Sequence, residues 1–319
     1  MGLHRDRQGS RARRPCQGGD PAPDQAGRHR ADRDDGCVPA VLCPRPGGDV
    51  RPRPRGQAGL SDLLPVALRA ARAGAAVLLR AGLPRPGSAA ELKSRGDYVT
   101  ATDRASEVAI LEVLAREAPG IAVLAEERGG VRAATMWAVD PLDGTTNFTR
   151  GFPSVGISVA LLDKGLPVAG VVLAPFLELE FTVARGQGAF MNGERLPAHR
   201  LLDPSGAVVA TGFPFRNKKL LPRYLPVFRQ ALETFEDIRR AGAAALDLAW
   251  TAASTFDGFF ELGLNTWDVA AGAALVIEVG GRVSDWSGGD RWIETGNILA
   301  GAPAVHETLL ELAARSPER

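Results

Sequence analysis

The sequence predicts an α/β (α+β) layered sandwich in which helix and sheet layers alternate. Three observations lead to this fold class. Amphipathic helical patterns and short apolar runs alternate in blocks along the chain. No clean linker divides the chain into independent halves, and no internal repeat indicates a solenoid. The 319 residues are enough for one large α/β unit or for two closely packed halves.

The composition limits the possible functions. The formal net charge is +1, so charge gives no support for nucleic acid as the main partner. No apolar run reaches the roughly 20 residues that a membrane-spanning helix needs, and the N-terminus lacks the apolar segment of a signal peptide. We therefore expect a cytoplasmic protein that uses neither a nucleic acid nor a membrane as a partner.

The first 58 residues differ in composition from the rest. They are rich in Arg, Pro, Gly and Asp and show neither helical nor strand periodicity. Such a segment buries too little apolar area to offset its ordering entropy. We predict that residues 1–58 are a disordered or mis-assigned N-terminal extension, the alternative being a functional basic arm. Residues 59–319 are predicted to form the folded domain. The three cysteines of the chain, Cys16, Cys37 and Cys43, all precede that domain. Disulfides and thiolate metal sites are therefore excluded from it.

Two amphipathic helices open the predicted domain. The first covers residues 61–82, with Ser61 as its N-cap. The second covers residues 101–120, with Thr102 or Asp103 as its cap. The residues that we expect together on one face of the second helix are Val108, Leu111 and Leu114.

Strands dominate the middle of the chain, and helices return after it. The predicted strands are "IAVLA", "TMWAVD", "SVGISVALLD" and "PVAGVVLAPF". Asp163-Lys164-Gly165 lies between the last two and predicts a hairpin. The later helices are "AGAAALDLAWTAAS" and "TWDVAAGAALVIEVGG", with the strand-like "FDGFFELG" between them.

The stretch "WAVDPLDGTTNF" carries two aspartates three residues apart. Asp140 ends an apolar run, and Pro141 is expected to end the strand there because it has no N–H to donate. "TTNF" then opens a short helix. Two carboxylates and the Leu142 carbonyl suit Mg²⁺, while N–H groups at the helix start suit a phosphate. The alternative is a plain strand-to-helix turn in which Asp143 caps the helix and Asp140 is exposed.

Further acidic residues follow strands elsewhere in the sequence. Glu126 and Glu127 follow "IAVLA", and Glu261 and Asp268 flank the start of an Ala-rich helix. Carboxylates that converge at one sheet edge are costly without a cation. The alternatives are a solvated loop for the glutamate pair, a surface position for Glu261 and a first-turn helix cap for Asp268.

Together these motifs resemble the inositol monophosphatase family of Mg²⁺-dependent, lithium-sensitive phosphatases. "WAVDPLDGTTNF" is similar to the first signature of the family and "WDVAAGAALVIEVGG" to the second, and "GDYVTATD", "AEE" and "GVVLAPFLELEFTVARGQGAFMNGERL" also match its pattern. The resemblance covers the chain from about Leu60 to its end. It implies an inositol monophosphatase/fructose-1,6-bisphosphatase-like fold and a homodimer.

The resemblance also implies a metal site of two to three Mg²⁺ ions. Glu126, Asp140 and the Leu142 carbonyl would hold the first ion. Asp140 would bridge to a second ion that Asp143 and Asp268 also hold, and a weaker third ion would lie near Glu126. Two ions of this kind clamp the attacking and departing oxygens of a phosphate ester.

Catalytic and substrate-binding roles are implied in the same way. Glu126, the Thr145 hydroxyl and the acid of "GDYVT", which is Asp97, would assist the attacking water. The N–H groups of Gly144 and Thr145 would bind the phosphate. The residues implied on the substrate side are Gly242, Ala243, Ala244, Glu261 and Asp268. We expect three others to pack or to lie on helix surfaces: Asp247, Trp250 and Trp267.

The expected function is therefore Mg²⁺-dependent hydrolysis of a small polyol phosphate, with myo-inositol 1-phosphate as the foremost substrate. Family members also imply fructose-1,6-bisphosphatase, histidinol-phosphatase or broad sugar phosphatase activity as alternatives. A non-enzymatic alternative is a binding partner of the transcription machinery, because some members of the family have that role.

Overall fold

A computed structural model describes residues 59–85, 100–199 and 203–315 in full, together with the backbone of residues 91–94 and 97–99. The predicted extension over residues 1–58 lies outside the described residues, so its nature and the domain boundary stay predictions. Within the described ranges, no helix is long and apolar enough to cross a membrane.

Helices and strands alternate in blocks, as the sequence predicts. The helices are α1 (Leu64–Ala81), α2 (Ala101–Glu117), α3 (Thr145–Thr149), α4 (Leu221–Thr234), α5 (Ala244–Ala252), α6 (Thr266–Glu278), α7 (Trp292–Thr295) and α8 (Pro303–Ala314). The strands are β1 (Glu91–Ser94), β2 (Asp97–Val99), β3 (Ala122–Ala125), β4 (Gly129–Gly130), β5 (Thr135–Asp143), β6 (Gly156–Asp163), β7 (Leu166–Ala174), β8 (Leu179–Ala184), β9 (Gly188–Met191), β10 (Glu194–Arg195), β11 (Val208–Thr211), β12 (Asp237–Arg239), β13 (Gly258–Glu261), β14 (Arg282–Ser284) and β15 (Ile298–Gly301).

In the part of the chain that the structure describes, β1 and β2 form a two-stranded antiparallel sheet, and the other strands form two further sheets. The larger has the order β10-β9-β8-β7-β6-β5-β3-β4, and the smaller has the order β12-β11-β13-β15-β14. In the larger sheet β3 pairs with β5 in parallel, whereas β5 to β8 form antiparallel pairs. The predicted hairpin between β6 and β7 is confirmed. Lys164 and Gly165 both have positive φ there, 52° and 78°, which is the backbone of a two-residue hairpin turn.

Helix layers cover both faces of the larger sheet. Helices α1 and α2 pack on one face, α5 and α6 lie between the two sheets, and α4 and α8 cover the outer face of the smaller sheet. Along β5, Trp137 and Val139 enter the core under α1 and α2, while Met136 and Ala138 enter the core around α5 and α6. This alternation follows from the two-residue period of a strand, and it confirms the layered fold.

Three local predictions about element ends are wrong. Strand β5 continues past Pro141 to Asp143, because the missing N–H of the proline falls in an irregular stretch of the β5–β6 pairing between Asp140 and Asp143. Ser61 does not cap α1, since a 3-10 turn over Leu60–Leu63 precedes the helix and Leu63 is its N-cap.

The start of α2 also differs from the prediction. Its N-cap is Thr100, whose hydroxyl accepts the N–H groups of Thr102 and Asp103, and Asp103 in turn accepts the Thr100 N–H at 3.0 Å. This reciprocal pair is a capping box. Val108 is 36% exposed, because the buried side of α2 faces α1 and β5 through Ser106, Glu107, Ile110, Val113 and Leu114.

Buried His306 on α8 gives the fold a predictable pH dependence. Its Nε2 lies 2.8 Å from Ser284 Oγ, and burial, followed by Arg282, lowers the pKa of His306. At mildly acidic pH the unfolded chain therefore binds more protons than the folded chain. The contribution of neutral His306 to stability is fully present above the ordinary histidine pKa of about 6.5 and is lost as the pH falls below that value.

We compare the free energy of unfolding of His306→Gln with that of the unchanged protein, measured with urea between about pH 7.5 and pH 5. Acidification is expected to be less destabilising in the variant, because the contribution of His306 is absent. Glutamine keeps a polar partner for Ser284 but does not titrate in this range. Some pH dependence remains in the variant, because burial also lowers the pKa of His199. Burial raises the pKa of buried carboxyl groups such as Asp143, which changes stability in the opposite direction. Identical slopes in the two proteins would contradict the assignment to His306.

Candidate active site

A cavity of about 440 Å³ opens where several strands end and helices begin. The end of β3, the end of β5 with the start of α3, and the end of β13 with the start of α6 each contribute acidic side chains. Its walls also include the segment after β11 and the loop before α5. The predicted site residues that line it are Glu126, Asp140, Leu142, Asp143, Gly144, Thr145, Gly242, Ala244, Glu261 and Asp268.

The two aspartates of "DPLDG" are not parts of a plain turn. Asp140 is 2% exposed, and one of its oxygens accepts the Leu142 N–H at 2.9 Å. Asp143 does not cap α3, because its carboxylate accepts the Ala245 N–H at 2.7 Å. The N-cap of α3 is instead Gly144, with a φ of 87°. Both carboxylates are therefore held at the cavity wall, and the alternative of a capped, exposed turn is wrong.

The other acidic residues reach the cavity from separate elements. Glu126 directly follows β3, and its N–H donates to Val139 O on β5 at 3.1 Å. Asp268 lies in the first turn of α6 and accepts the Asn265 N–H at 2.7 Å, so it caps the helix and also lines the cavity. Glu261 ends β13 and is half-buried, which contradicts the alternative of a surface position.

Burial and mutual repulsion perturb these carboxyl groups. Burial raises the pKa of Asp140 well above its usual range, and the charges of Glu126 and Asp143 raise it further. Burial, followed by the charge of Asp268, raises the pKa of Asp143 to about 7. Burial also raises the pKa of Asp268 and of Glu261. Ionising these carboxyl groups together is therefore costly without a cation beside them.

The donor set of the cavity fits a hard divalent cation. Five carboxylates line the wall against two guanidinium groups, those of Arg216 and Arg240, and Arg216 Nη2 is 3.9 Å from Glu126 Oε1. Carboxylate and carbonyl oxygens are the ligands that Mg²⁺ prefers. As the side chains stand in the ranges described, no group of three or more His, Cys, Asp or Glu residues is arranged to hold a metal ion. One oxygen on each of Asp140, Asp143 and Asp268 is held by a backbone N–H instead.

The Thr145 hydroxyl contacts a carboxylate that the sequence analysis assigned only to helix capping. Thr145 Oγ1 lies 3.2 Å from Asp103 Oδ1 and 3.2 Å from the Leu142 carbonyl oxygen. Asp103 is completely buried, and burial raises its pKa. The side chain of Asp97, the acid implied for this position, lies outside the described residues. In the sequence, the one indication of a role for Asp103 at the site was its position as the last residue of the motif "GDYVTATD".

The substrate side is built partly from the implied residues. Gly242 and Ala244 line the cavity, whereas Ala243 between them is 1% exposed and packs in the core. The implied backbone contact of Ala243 with the substrate stays a prediction. Asp247 is also 1% exposed. It is therefore one of the packed residues of α5, and its pKa is raised first by burial and then by the charge of Asp143. Trp250 packs against Phe256 with ring centroids 5.6 Å apart.

One wall of the cavity was missed in the sequence analysis. The segment from Gly212 to Asn217 lines it together with Arg240. The Arg240 guanidinium lies 5.6 Å from the ring centre of Phe213 and 5.3 Å from that of Phe215. These are cation–π distances. An aromatic pair followed by basic residues, in "FPFRNKK", was the only signal.

Comparisons with known proteins agree with this fold. The family model described as the inositol monophosphatase family matches residues 60–318. A Pseudomonas aeruginosa protein named Nus factor SuhB is 43% identical over 258 residues, which cover 79% of this chain and 95% of that protein. The crystal structure of extragenic suppressor protein suhB from Bartonella henselae has 36% identity and a TM-score of 0.74, covering 80% of this chain and 99% of that one.

A solved inositol monophosphatase is similar to the chain as well. The structure of inositol monophosphatase from Anabaena has 35% identity and a TM-score of 0.71, covering 81% of this chain and 97% of that one. The family model spans most of the chain and includes every acidic residue of the cavity. This chain therefore belongs to the inositol monophosphatase family.

Proposed function

We propose that this protein is a Mg²⁺-dependent phosphomonoesterase that acts on small polyol phosphates, with myo-inositol 1-phosphate as its foremost substrate. One observation carries the proposal. Five carboxylates from three separate parts of the chain line one cavity beside the glycine-initiated start of α3. That arrangement supplies cation ligands and phosphate-facing backbone groups at one place. Family membership supports phosphatase chemistry of this kind.

The residues proposed to hold Mg²⁺ are Glu126, Asp140, Asp143, Asp268 and the Leu142 carbonyl. When bound, the metal lowers the pKa of a water molecule and neutralises charge on the phosphate. The protein supplies the orientation of the ligands. The backbone N–H groups of Leu142, Ala245 and Asn265 each fix one aspartate oxygen, which limits the directions in which the carboxylates point.

Thr145 and Asp103 are proposed to position the attacking water. The Thr145 hydroxyl carries one hydrogen and lies between the Asp103 carboxylate and the Leu142 carbonyl. When it donates to Asp103, its oxygen is left to accept a hydrogen bond from a water in the cavity. Asp103 is itself fixed by the Thr100 N–H. Glu126, at the same cavity wall, is the proposed acceptor of the water proton.

The remaining walls are proposed to select the alcohol. The N–H groups of Gly144 and Thr145 would bind the phosphate oxygens. Glu261 would accept hydrogen bonds from hydroxyl groups of the alcohol, and Gly242 and Ala244 would allow its ring to approach the backbone closely. Hydroxyl groups paired with a carboxylate favour a polyol over an apolar alcohol.

Phosphate release by the purified protein tests this function. The substrates are inositol 1-phosphate, fructose 1,6-bisphosphate, histidinol phosphate and a 3′-phosphonucleotide, each with and without Mg²⁺. We expect Mg²⁺-dependent turnover with the highest kcat/KM for inositol 1-phosphate. A preference for fructose 1,6-bisphosphate or equal rates on all would replace the substrate by one of the sugar phosphate alternatives. No Mg²⁺-dependent release from any of them would end the enzymatic proposal.

A binding role is the second candidate. Similar proteins carry the name Nus factor SuhB, and that name runs against our expectation, based on a net charge of +1, that nucleic acid is not a partner. Net charge over a whole chain does not describe a local surface, which is why it is a weak guide here. If a variant without phosphatase activity kept the cellular phenotype of the unchanged gene, the binding role would be the better account. The homodimer stays a prediction.

A further inference from the structure

Asn147 lies where three segments of the site meet. It belongs to α3 and lies two residues after Thr145, which is proposed to bind phosphate. Its side-chain Nδ2 is 2.7 Å from Ser154 O, 2.8 Å from Ala241 O and 3.3 Å from Gly242 O. An amide nitrogen has two hydrogens. It donates one to Ser154 O and one to Ala241 O, and the longer contact with Gly242 O shares one of these hydrogens.

The backbone of Asn147 adds a second connection. Its carbonyl oxygen accepts the N–H groups of Arg150 and Phe152 at 3.0 and 2.9 Å. One residue therefore fixes α3, the turn after it and the loop before α5. Residues 147 and 241 are 94 positions apart in sequence, so the contact joins parts of the chain that local structure does not bring together.

The loop before α5 forms the substrate side of the cavity. Gly242 has a φ of 86°, and a Cβ placed there would lie 3.3 Å from Asn147 Nδ2. A Cβ on Gly144 would lie 3.3 Å from the Cβ of Ala243 and 3.4 Å from the same amide nitrogen. The Asn147 amide thus fills the gap between Gly144, on the phosphate side of the cavity, and Gly242, on the alcohol side.

We propose that Asn147 is a positioning residue that sets the distance between the phosphate-binding turn and the loop Ala241–Ala243, and thereby the selectivity for the alcohol part of the substrate. The inference rests on the proposed function. Asn147 does not line the cavity, so it acts through Gly242. The amide is required because three carbonyl oxygens face it, and a carboxylate there would repel all three.

The phosphate side has supports of its own. Phe148 N–H donates to Gly144 O at 2.9 Å, and the Thr145 hydroxyl contacts Leu142 O and Asp103. Loss of the Asn147 amide therefore releases the loop before α5 while the phosphate-binding turn keeps its bonds. The alcohol contacts become imprecise, and the phosphate contacts do not.

Two substrates with the same phosphate and different leaving groups separate these effects. For Asn147→Ala we expect kcat/KM on inositol 1-phosphate to fall at least about tenfold, largely through KM, and kcat/KM on p-nitrophenyl phosphate to change by less than about threefold. Asn147→Gln keeps the amide and much of the packing but is one methylene longer, and we expect the same loss of selectivity. Hydrogen exchange of the Gly242 and Ala243 amides should be faster in both variants.

Thr149→Ala is the matched control. Its hydroxyl bonds Thr146 O within the same short helix and does not reach the loop before α5. We expect Thr149→Ala to change kcat/KM by the same factor on both substrates and to leave hydrogen exchange of the Gly242 amide unaltered. Equal losses on both substrates in the Asn147 variants, or unchanged activity in both, would overturn the proposal. If the unchanged protein hydrolyses neither substrate, the proposed function fails and the selectivity role fails with it, while the exchange experiment still decides whether Asn147 holds the loop.

Discussion

Asp140→Asn is expected to lower Mg²⁺-dependent phosphate release by about 10³-fold, because a metal ion supplies several kcal/mol of transition-state stabilisation. The substitution keeps an oxygen for the Leu142 N–H but removes the charge proposed to hold the metal. The measurement is phosphate release at saturating inositol 1-phosphate across a Mg²⁺ titration. Turnover within tenfold of the unchanged protein would contradict the assignment of Asp140 as a metal ligand.

The same variant has a second expected readout. Asp140 is buried among other acids, and both effects raise its pKa, so a neutral amide costs less to bury than the carboxylate. We expect the metal-free variant to have a Tm at least as high as the unchanged protein, and to lose the rise in Tm that Mg²⁺ produces. Asp290→Asn, at an exposed position, should keep both the activity and that rise. A large fall in Tm without metal would show that activity is lost through misfolding.

Gly144→Ala is expected to lower kcat/KM by about 100-fold, because small displacements of a reacting group have effects of that size. Gly144 has a φ of 87°, and a Cβ there would lie 2.9 Å from the carbonyl oxygen of Ser154. The left-handed backbone costs an alanine about 1 kcal/mol. The close contact between this Cβ and Ser154 O also displaces the turn that faces the cavity. Steady-state kinetics and urea unfolding measure the two effects separately.

Gly165→Ala provides the control for backbone strain. Gly165 has a φ of 78°, similar to that of Gly144, but a Cβ there meets none of the described atoms within 4 Å. It lies in the β6–β7 turn, away from the cavity. We expect a similar loss of stability, about 1 kcal/mol, with unchanged kcat/KM. If both variants lost activity equally, global destabilisation rather than displacement of the turn would be responsible.

The sequence by itself determined the elements and the acidic residues of the site. Helix and strand periods come from local side-chain alternation, and so the core helices α5 and α6 and the β6–β7 hairpin were predictable. The acidic residues of the cavity were also visible, because each lies near the end of a strand or the beginning of a helix, as Glu261 and Asp268 do. The motifs that carry the family resemblance contain these same residues.

Only the tertiary structure decided which groups meet. Asp103 contacts Thr145 across 42 positions, and Asn147 reaches Ala241 across 94. Pro141 stays within β5 because the irregular pairing with β6 accommodates its missing N–H. Each of these outcomes depends on the packing of α2, α3 and α5 around one sheet edge. Periodicity and spacing describe only neighbours along the chain, so they predict the carboxylates of the site without predicting the hydroxyl, amide and guanidinium groups that surround them.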